Sequence, residues 1–111
     1  MAKLQCTLPG NFDHILSTIE QGIISGSVSA TLEASSDFRG ESGARCSVRV
    51  FERYSYAGGN RLSLSVTLFR DGNTNYLSAV TAGGSQALFW KVNTWGEEAF
   101  LDKLREIVAR F

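Results

Sequence analysis

The chain has 111 residues, of which 43% are apolar and 20% are charged, and its eleven basic residues balance eleven acidic ones. This size and composition indicate one globular domain, residues 1–111, with a core of its own. The zero net charge excludes a general electrostatic attraction to nucleic acid or to an anionic membrane. We find neither an apolar run of roughly 18 residues nor a signal-peptide segment in MAKLQCTLPG, and therefore expect a cytoplasmic protein without a membrane span.

The residues that usually hold metals or cofactors are few. Cys6 and Cys46 are too far apart in the sequence for a metal-ligand motif, and we predict two reduced thiols at inward strand positions. His14 is the single histidine, and its place at the start of a helix indicates a solvated side chain. Glycine pairs occur without a phosphate-loop motif. We predict no metal, no cofactor and no catalytic residue from these patterns.

The first two elements are a strand and a helix. Alternation predicts a strand over Lys3–Leu8, which Pro9 and Gly10 end because proline cannot donate to a strand ladder. Asn11 is a predicted helix N-cap, and the helix runs over residues 12–25. Its apolar residues recur at helical spacing and form the face that we expect to be buried, namely Phe12, Ile15, Leu16, Ile19 and Ile23.

Strand patterns dominate the rest of the chain. The predicted strands cover about 27–34, 44–56, 61–70, 74–81 and 87–92, with a loop over 35–43. Thr94 and Glu97 form a predicted capping box ahead of a closing helix over about 95–110. The order β-α-β-β-β-β-β-α indicates an α+β two-layer sandwich, with a mainly antiparallel sheet of five to six strands and both helices on one face.

Hairpin lengths assign side chains to the two faces of that sheet. A three-residue loop, Gly58–Asn60, would set Val50 across from Leu68, and a turn at Asp71-Gly72 would pair Val66 with Leu77. The even-numbered residues of the third strand then face the helices. The outer face would carry the predicted interface residues Arg49, Phe51, Arg53, Phe69, Tyr76 and Phe89.

The same assignment puts Glu52 on the core face, where burial would raise its pKa. We favour the alternatives for this residue, a strand-end position in water or a bulge that turns the side chain outward, because structural ion pairs and edges are commoner than catalytic sites. Tyr54, Tyr56 and Trp90 would join Glu52 at the mouth of a pocket between sheet and helices. A catalytic function would depend on Glu52 alone, so we lean towards a protein that is not an enzyme.

Several long segments resemble a family of small, single-domain bacterial proteins of unknown function. They are MAKLQC, GSVSATLE, RCSVRVFERYSYAGGNRLSLSVTL and GGSQALFWKVNTWGEEAFLDKLREI, with the hairpins between them, and the resemblance is collinear over the whole chain. It implies no activity, cofactor or catalytic residue. The order of strands and helices is also similar to helix-grip proteins, which hold apolar ligands between sheet and helix.

Two functional hypotheses follow from the sequence. The first is a binding or interaction module whose outer sheet face is covered by a second copy or by a protein partner, because a contiguous apolar patch on a surface usually marks an interface. The alternative is a small apolar ligand in the pocket between helices and sheet.

Overall fold

The computed structural model describes residues 1–54, 61–83 and 90–111, except the side chains of residues 90–95. Its elements are, in chain order, β1 (Ala2–Leu8), α1 (Phe12–Gly26), β2 (Thr31–Arg39), β3 (Arg45–Tyr54), β4 (Arg61–Asp71), β5 (Thr74–Gly83) and α2 (Trp90–Val108). The five strands form one antiparallel sheet in the order β1-β5-β4-β3-β2, and both helices pack on the same face. The predicted α+β fold is confirmed.

Helix α1 connects the two edges of the sheet, because β1 and β2 lie at opposite ends of the strand order. Its 15 residues span about 22 Å at 1.5 Å per residue. Four strand spacings of about 4.8 Å amount to about 19 Å, so the helix is long enough to cross the whole sheet. Asn11 begins the helix as predicted, with its Oδ1 accepting a hydrogen bond from the backbone N–H of His14 at 2.9 Å.

The core lies between the helices and one face of the sheet. The predicted apolar face of α1 is buried, as are Phe100, Leu101 and Leu104 of α2. The two helices approach closely at Gly22, where a Cβ atom would lie only 2.5 Å from Cδ1 of Ile107. From the sheet, the buried apolar residues beneath the helices are Phe51, Leu62, Leu64, Val66, Leu68, Leu77 and Ala79.

Strand β2 differs from its prediction. It runs over Thr31–Arg39, so most of the predicted loop over 35–43 is strand, and the chain over 27–30 precedes the sheet. The polar segment is held by pairing with β3, in which Ser35 lies across from Arg49 and Asp37 across from Ser47. All nine residues of β2 are exposed because this edge strand lies beyond most of the helix layer. Tertiary pairing thus overrides a composition typical of loops.

Helix α2 begins earlier than predicted, at Trp90. Thr94 therefore lies inside the helix and cannot serve as its N-cap, so the predicted capping box with Glu97 is wrong. The strand predicted over 87–92 is also wrong for residues 90–92, which are helical. Residues 87–89 lie outside the described ranges.

The register of the β3–β4 hairpin corrects the assignment of faces. Phe51 pairs with Leu64, whereas the predicted register paired Val50 with Leu68. Tyr54 pairs with Arg61, which leaves an even number of residues, 55–60, between the strands in place of the predicted three. The odd-numbered residues of β3 consequently face the helices.

The β4–β5 hairpin keeps its predicted faces. Val66 pairs with Ala79, two residues away from the predicted partner Leu77, and a shift of two preserves the alternation of side chains. The chain turns between Asp71 and Thr74, where Gly72 has a φ of 61°, a conformation that glycine adopts readily.

Candidate functional site

The sheet face opposite the helices is the candidate functional site, and we call it the outer face. Three rows cross all five strands, each row with one residue from β2, β3, β4, β5 and β1 in that order. These rows are Phe38-Cys46-Phe69-Tyr76-Thr7, Ser36-Val48-Thr67-Ser78-Gln5 and Ala34-Val50-Ser65-Val80-Lys3. All fifteen residues retain solvent exposure, and Lys3 is the one charged residue among them.

The first of these rows concentrates the aromatic side chains. Phe69 and Tyr76 are stacked, with ring centroids 6.1 Å apart and an angle of 29° between the ring planes. Phe38 is 66% exposed, Tyr76 46% and Phe69 39%. Large apolar side chains in one row are unusual for a surface that only water covers.

A shallow groove lies beside the stacked rings. It has a volume of about 420 Å³ and is formed by the outer side of β1, β4 and β5. Thr7 and Gln5 border it from the edge strand, and Thr67 and Ser78 provide hydroxyl groups. An apolar surface with dispersed hydroxyls can pack against another surface and still donate and accept hydrogen bonds.

Charged residues form the rim of the outer face at one end. Arg61 forms an ion pair with Glu52, and its Nη2 lies 3.8 Å from Oε2 of Glu33. The guanidinium of Arg61 also lies 5.8 Å from the ring centroid of Tyr54. These partners are partly exposed, so the cluster orients side chains more than it stabilises the fold.

The inner side of β3 is more polar than its outer side. Arg49 is buried, and its Nε donates to Oε1 of Glu20 at 2.6 Å while its Nη2 donates to Oδ1 of Asp37 at 3.0 Å. Ser47 donates to the same Asp37 oxygen at 2.6 Å. The hydrogen bond from Ser47, together with the Arg49 guanidinium, holds the pKa of Asp37 below its ordinary value.

Arg53 continues this inner polar side. It is buried, its guanidinium lies 4.5 Å from the ring centroid of Phe100, and its Nη1 donates to Oγ of Ser27 at 3.1 Å. A cation on an aromatic face keeps a favourable electrostatic partner when it leaves water. The inner side of β3 thus reads Arg45, Ser47, Arg49, Phe51 and Arg53, whereas its outer side reads Cys46, Val48 and Val50 before it ends in Glu52 and Tyr54.

The structure confirms part of the predicted outer face and corrects the rest. Phe69 and Tyr76 lie there as predicted. The placement of Arg49, Phe51 and Arg53 is wrong, since all three are buried under the helices: Val50 pairs with Ser65, three residues from the predicted partner Leu68, and an odd shift exchanges the two faces of β3. Phe89 lies outside the described residues.

The predicted pocket mouth is not assembled between sheet and helices. Glu52 pairs with Ser63 and lies on the outer face, so its placement on the core face is wrong. Tyr54 is exposed on that outer side as well. Tyr56 and the side chain of Trp90 lie outside the described part of the structure.

The two cysteines lie on different faces. Cys6 is on the helix-covered face across from Leu77, and burial raises the pKa of its thiol. Cys46 belongs to the outer face, contrary to the prediction, because it is an even-numbered residue of β3. Over the described ranges, no three histidine, cysteine or carboxylate side chains come together as metal ligands would.

Sequence reasoning missed Phe38, Cys46, Val48 and Val50 as residues of the outer face. The sequence pattern predicts a loop at Phe38 and core positions for the other three, because they are apolar and alternate with arginine and serine. The sequence did contain one signal against that choice. The same register forced Glu52 into the core, and a carboxylate without an apparent partner argues against a buried position.

Neither helix, within the described residues, has the length and apolar character needed to cross a bilayer.

Comparison with known proteins identifies a family for this chain. No curated protein matches the chain. The sequence matches the family of unknown function DUF6054 over residues 1–111, and the chain therefore belongs to that family.

Proposed function

We propose that this protein is an interaction module that pairs with a second copy of itself through the outer face. One observation carries the proposal: β3 turns Cys46, Val48 and Val50 away from the helices while burying Arg49 and Arg53 beneath them. Apolar burial alone would favour the opposite orientation. The orientation found is favourable if the outer face is also covered in the functional state.

The size of the outer face suits a dimer. Five strands spaced at about 4.8 Å, with three to four rows about 6.8 Å apart, give roughly 500–650 Å² of flat sheet per copy. Side-chain relief increases the accessible area beyond that value. Specific interfaces bury on the order of 800 Å² per partner, so the outer face is near the size of a modest, reversible interface.

Charge complementarity favours a second copy and suggests its orientation. Lys3 lies at the β1 edge, whereas Glu33 and Glu52 lie at the same end of the sheet near the β2 edge. A two-fold axis parallel to the strands and passing over β4 brings Lys3 of each copy opposite these carboxylates. It also brings Phe69 against its own symmetry mate, and it keeps the two sheets nearly aligned, as sandwiched sheets pack.

The test is the molar mass in solution, measured by sedimentation equilibrium at protein concentrations between about 1 and 200 µM. This range covers the micromolar dissociation constants of weak specific dimers. We expect a concentration-dependent dimer for the wild-type chain. Phe69→Asp should remain monomeric over the same range with an unchanged circular dichroism spectrum, because two carboxylates would be desolvated against each other at the two-fold axis.

The matched control is Ile24→Asp. Ile24 is 42% exposed, close to the 39% of Phe69, but it lies on α1 on the other side of the molecule. This variant should dimerise as the wild type does. A wild-type chain that is monomeric at 200 µM would refute the proposal, as would equal loss of association in both variants.

A further inference from the structure

The edge strand β2 has one side that is open to another extended chain. β2 lies at one end of the strand order, and within the described ranges only β3 pairs with it. A bulge lies between Leu32 and Ala34, and residues 34–39 keep a regular register after it. An edge strand presents a row of backbone N–H and C=O groups that can pair with a further strand. The regular part of β2 is as long as a typical strand of about five to six residues, so it can hold one.

A groove lies between β2 and the second half of α1. Its volume is about 520 Å³, and it is lined by Glu20, Gln21, Ile24 and Ser25 of α1 and by Leu32 of β2. Ile24 and Leu32 give it an apolar wall, and they are 42% and 41% exposed. Glu20 provides the one charged group among these lining residues. A side chain that fits both features has an apolar stem and a cationic head, as arginine and lysine do.

Glu20 keeps the capacity to pair with such a head. Its Oε1 accepts a hydrogen bond from Nε of Arg49 at 2.6 Å, whereas its Oε2 has no hydrogen-bond partner among the described residues. Arg49 also pairs with Asp37, whose Oδ1 lies 3.0 Å from Nη2. Two negative charges thus share one positive charge, and the group of three has a net charge of −1. The guanidinium lies beneath the surface while both carboxylates are partly exposed, so the surface at this edge is acidic.

The other charges along β2 favour a basic partner over a second copy. Glu33 of β2 and Glu52 of β3 share the single cation Arg61. The strand itself carries Glu33, Asp37 and Arg39, which are two acidic residues and one basic residue. Pairing β2 with its own copy would bring two acidic strands together, and like charges on adjacent strands are destabilising. A basic strand is the complementary occupant.

We propose that the open edge of β2 binds an extended basic segment of another protein as a sixth strand of the sheet. The backbone of the segment pairs with β2, and one arginine or lysine side chain enters the groove. The stem of that side chain lies along Ile24 and Leu32, and its cation pairs with Glu20. This contact uses the backbone of β2 and the helix side of the sheet, so it is separate from self-association through the outer face.

The probe is a synthetic peptide with blocked ends and the alternating sequence Val-Thr-Val-Arg-Val-Thr-Val, which presents its arginine on one face of a strand. The wild-type chain is titrated with this peptide up to about 1 mM, the weak end of specific binding. Binding is followed by nuclear magnetic resonance through the backbone amide signals. We expect saturable shifts of Ser35, Ser36 and Asp37 in β2 and of the groove residues on α1.

Two N-methylated versions of the peptide test whether binding occurs by strand pairing. Each carries methyl groups on one set of alternate backbone nitrogens, and only one set points towards β2 in a paired strand. One version should therefore bind about tenfold more weakly than the unmodified peptide, as the loss of pairing hydrogen bonds predicts. The other version should bind as the unmodified peptide does. Equal affinities for the two versions would overturn the proposal.

A pair of variants tests the groove. Glu20→Gln should weaken binding of the arginine peptide about fivefold, as the loss of one partly exposed ion pair predicts. Glu106→Gln is the matched control, because it removes the same charge from an exposed position on α2, and it should bind as the wild type does. Phe69→Asp should also bind the peptide normally, so a failure of the outer-face dimer would leave this test intact.

Three further results would overturn the proposal. The first is an equal loss of affinity in Glu20→Gln and Glu106→Gln, because a general electrostatic attraction would then explain the binding. The second is the absence of saturable shifts in β2 up to about 1 mM peptide. The third is a shift of the β2 signals with protein concentration alone, which would identify a second copy as the occupant of this edge.

Discussion

The two sides of β3 differ in a way that local sequence does not suggest. Its outer side presents Cys46, Val48 and Val50 to solvent, whereas its inner side buries Arg49 and Arg53 with Phe51 between them. The neighbouring strand β4 follows the usual arrangement, with Leu62, Leu64, Val66 and Leu68 inward and serine or threonine outward in the middle of the strand. Adjacent strands of one sheet therefore use their faces differently.

The difference teaches what decides the orientation of a strand near a sheet edge. Arg49 finds Glu20 on α1 and Asp37 on β2, and Arg53 finds the ring of Phe100 on α2. Each arginine thus covers apolar surface with its stem and gives its guanidinium a partner from another element. Valines in the same positions would lack these contacts, and they remain available on the outer face for a partner.

The largest expected effect is the difference in unfolding free energy between a substitution on the inner face of the sheet and one on its outer face. Phe51→Ala should lower the free energy of unfolding by about 4 kcal/mol, because it removes a fully buried ring and leaves a cavity. Phe69→Ala should lower it by only about 1 kcal/mol, most of it from the lost stacking on Tyr76. Urea unfolding at low micromolar concentration, followed by circular dichroism, measures both values.

Low protein concentration is essential in that comparison, because dimer formation would add its own stabilisation to the wild type. A loss of similar size for the two variants would show that the faces are equally buried in the monomer. The assignment of an outer face would then be wrong.

The sequence predicted most of the architecture. The apolar spacing of α1, its Asn11 cap and the strongly alternating strands β1, β4 and β5 are local signals, and the structure contains them all. The face assignments of β4 and β5 were also correct, because a shift of two residues leaves the alternation intact.

The remaining errors have a common cause in contacts between distant elements. The inward orientation of Arg49 depends on Glu20, which is 29 residues away in the chain. Strand β2 is polar and forms because β3 offers it a partner along its full length. A change from an odd to an even number of residues in the β3–β4 loop moves every side chain of β3 to the other face of the sheet. Composition alone could not show whether that number is odd or even.

An effect of intermediate size tests whether the buried Arg49 stabilises the fold. Arg49→Met keeps the apolar stem but leaves Glu20 and Asp37 without their shared cation, and we expect a loss of about 2 kcal/mol in unfolding free energy. This value is below that of a fully buried pair because both carboxylates are partly exposed. Urea unfolding at pH 7 measures it.

The matched control for Arg49 is Arg45→Met on the same side of β3. The Nη2 of Arg45 lies 2.8 Å from Oδ1 of Asp13, and this carboxylate is 69% exposed. Such a pair contributes below about 1 kcal/mol. If Arg45→Met were as damaging as Arg49→Met, the contrast between a buried network and a surface pair would not hold.

The smallest expected effect is a change in the free energy of unfolding at acid pH. The pKa of Asp37 is lowered in the folded chain, first by the hydrogen bond from Ser47 and then by Arg49, relative to an ordinary value near 3.8. A lowered carboxyl pKa contributes stability above the unfolded value, and that contribution disappears as the pH falls through the folded pKa. Asp37→Asn should therefore be less stable than the wild type at pH 7, and the gap should narrow below about pH 4. Ser47→Ala should flatten this pH dependence, because it removes the leading cause of the lowered pKa of Asp37. If the difference in unfolding free energy between the wild type and Asp37→Asn stayed constant from neutral to acid pH, the charge of Asp37 would make no contribution to stability.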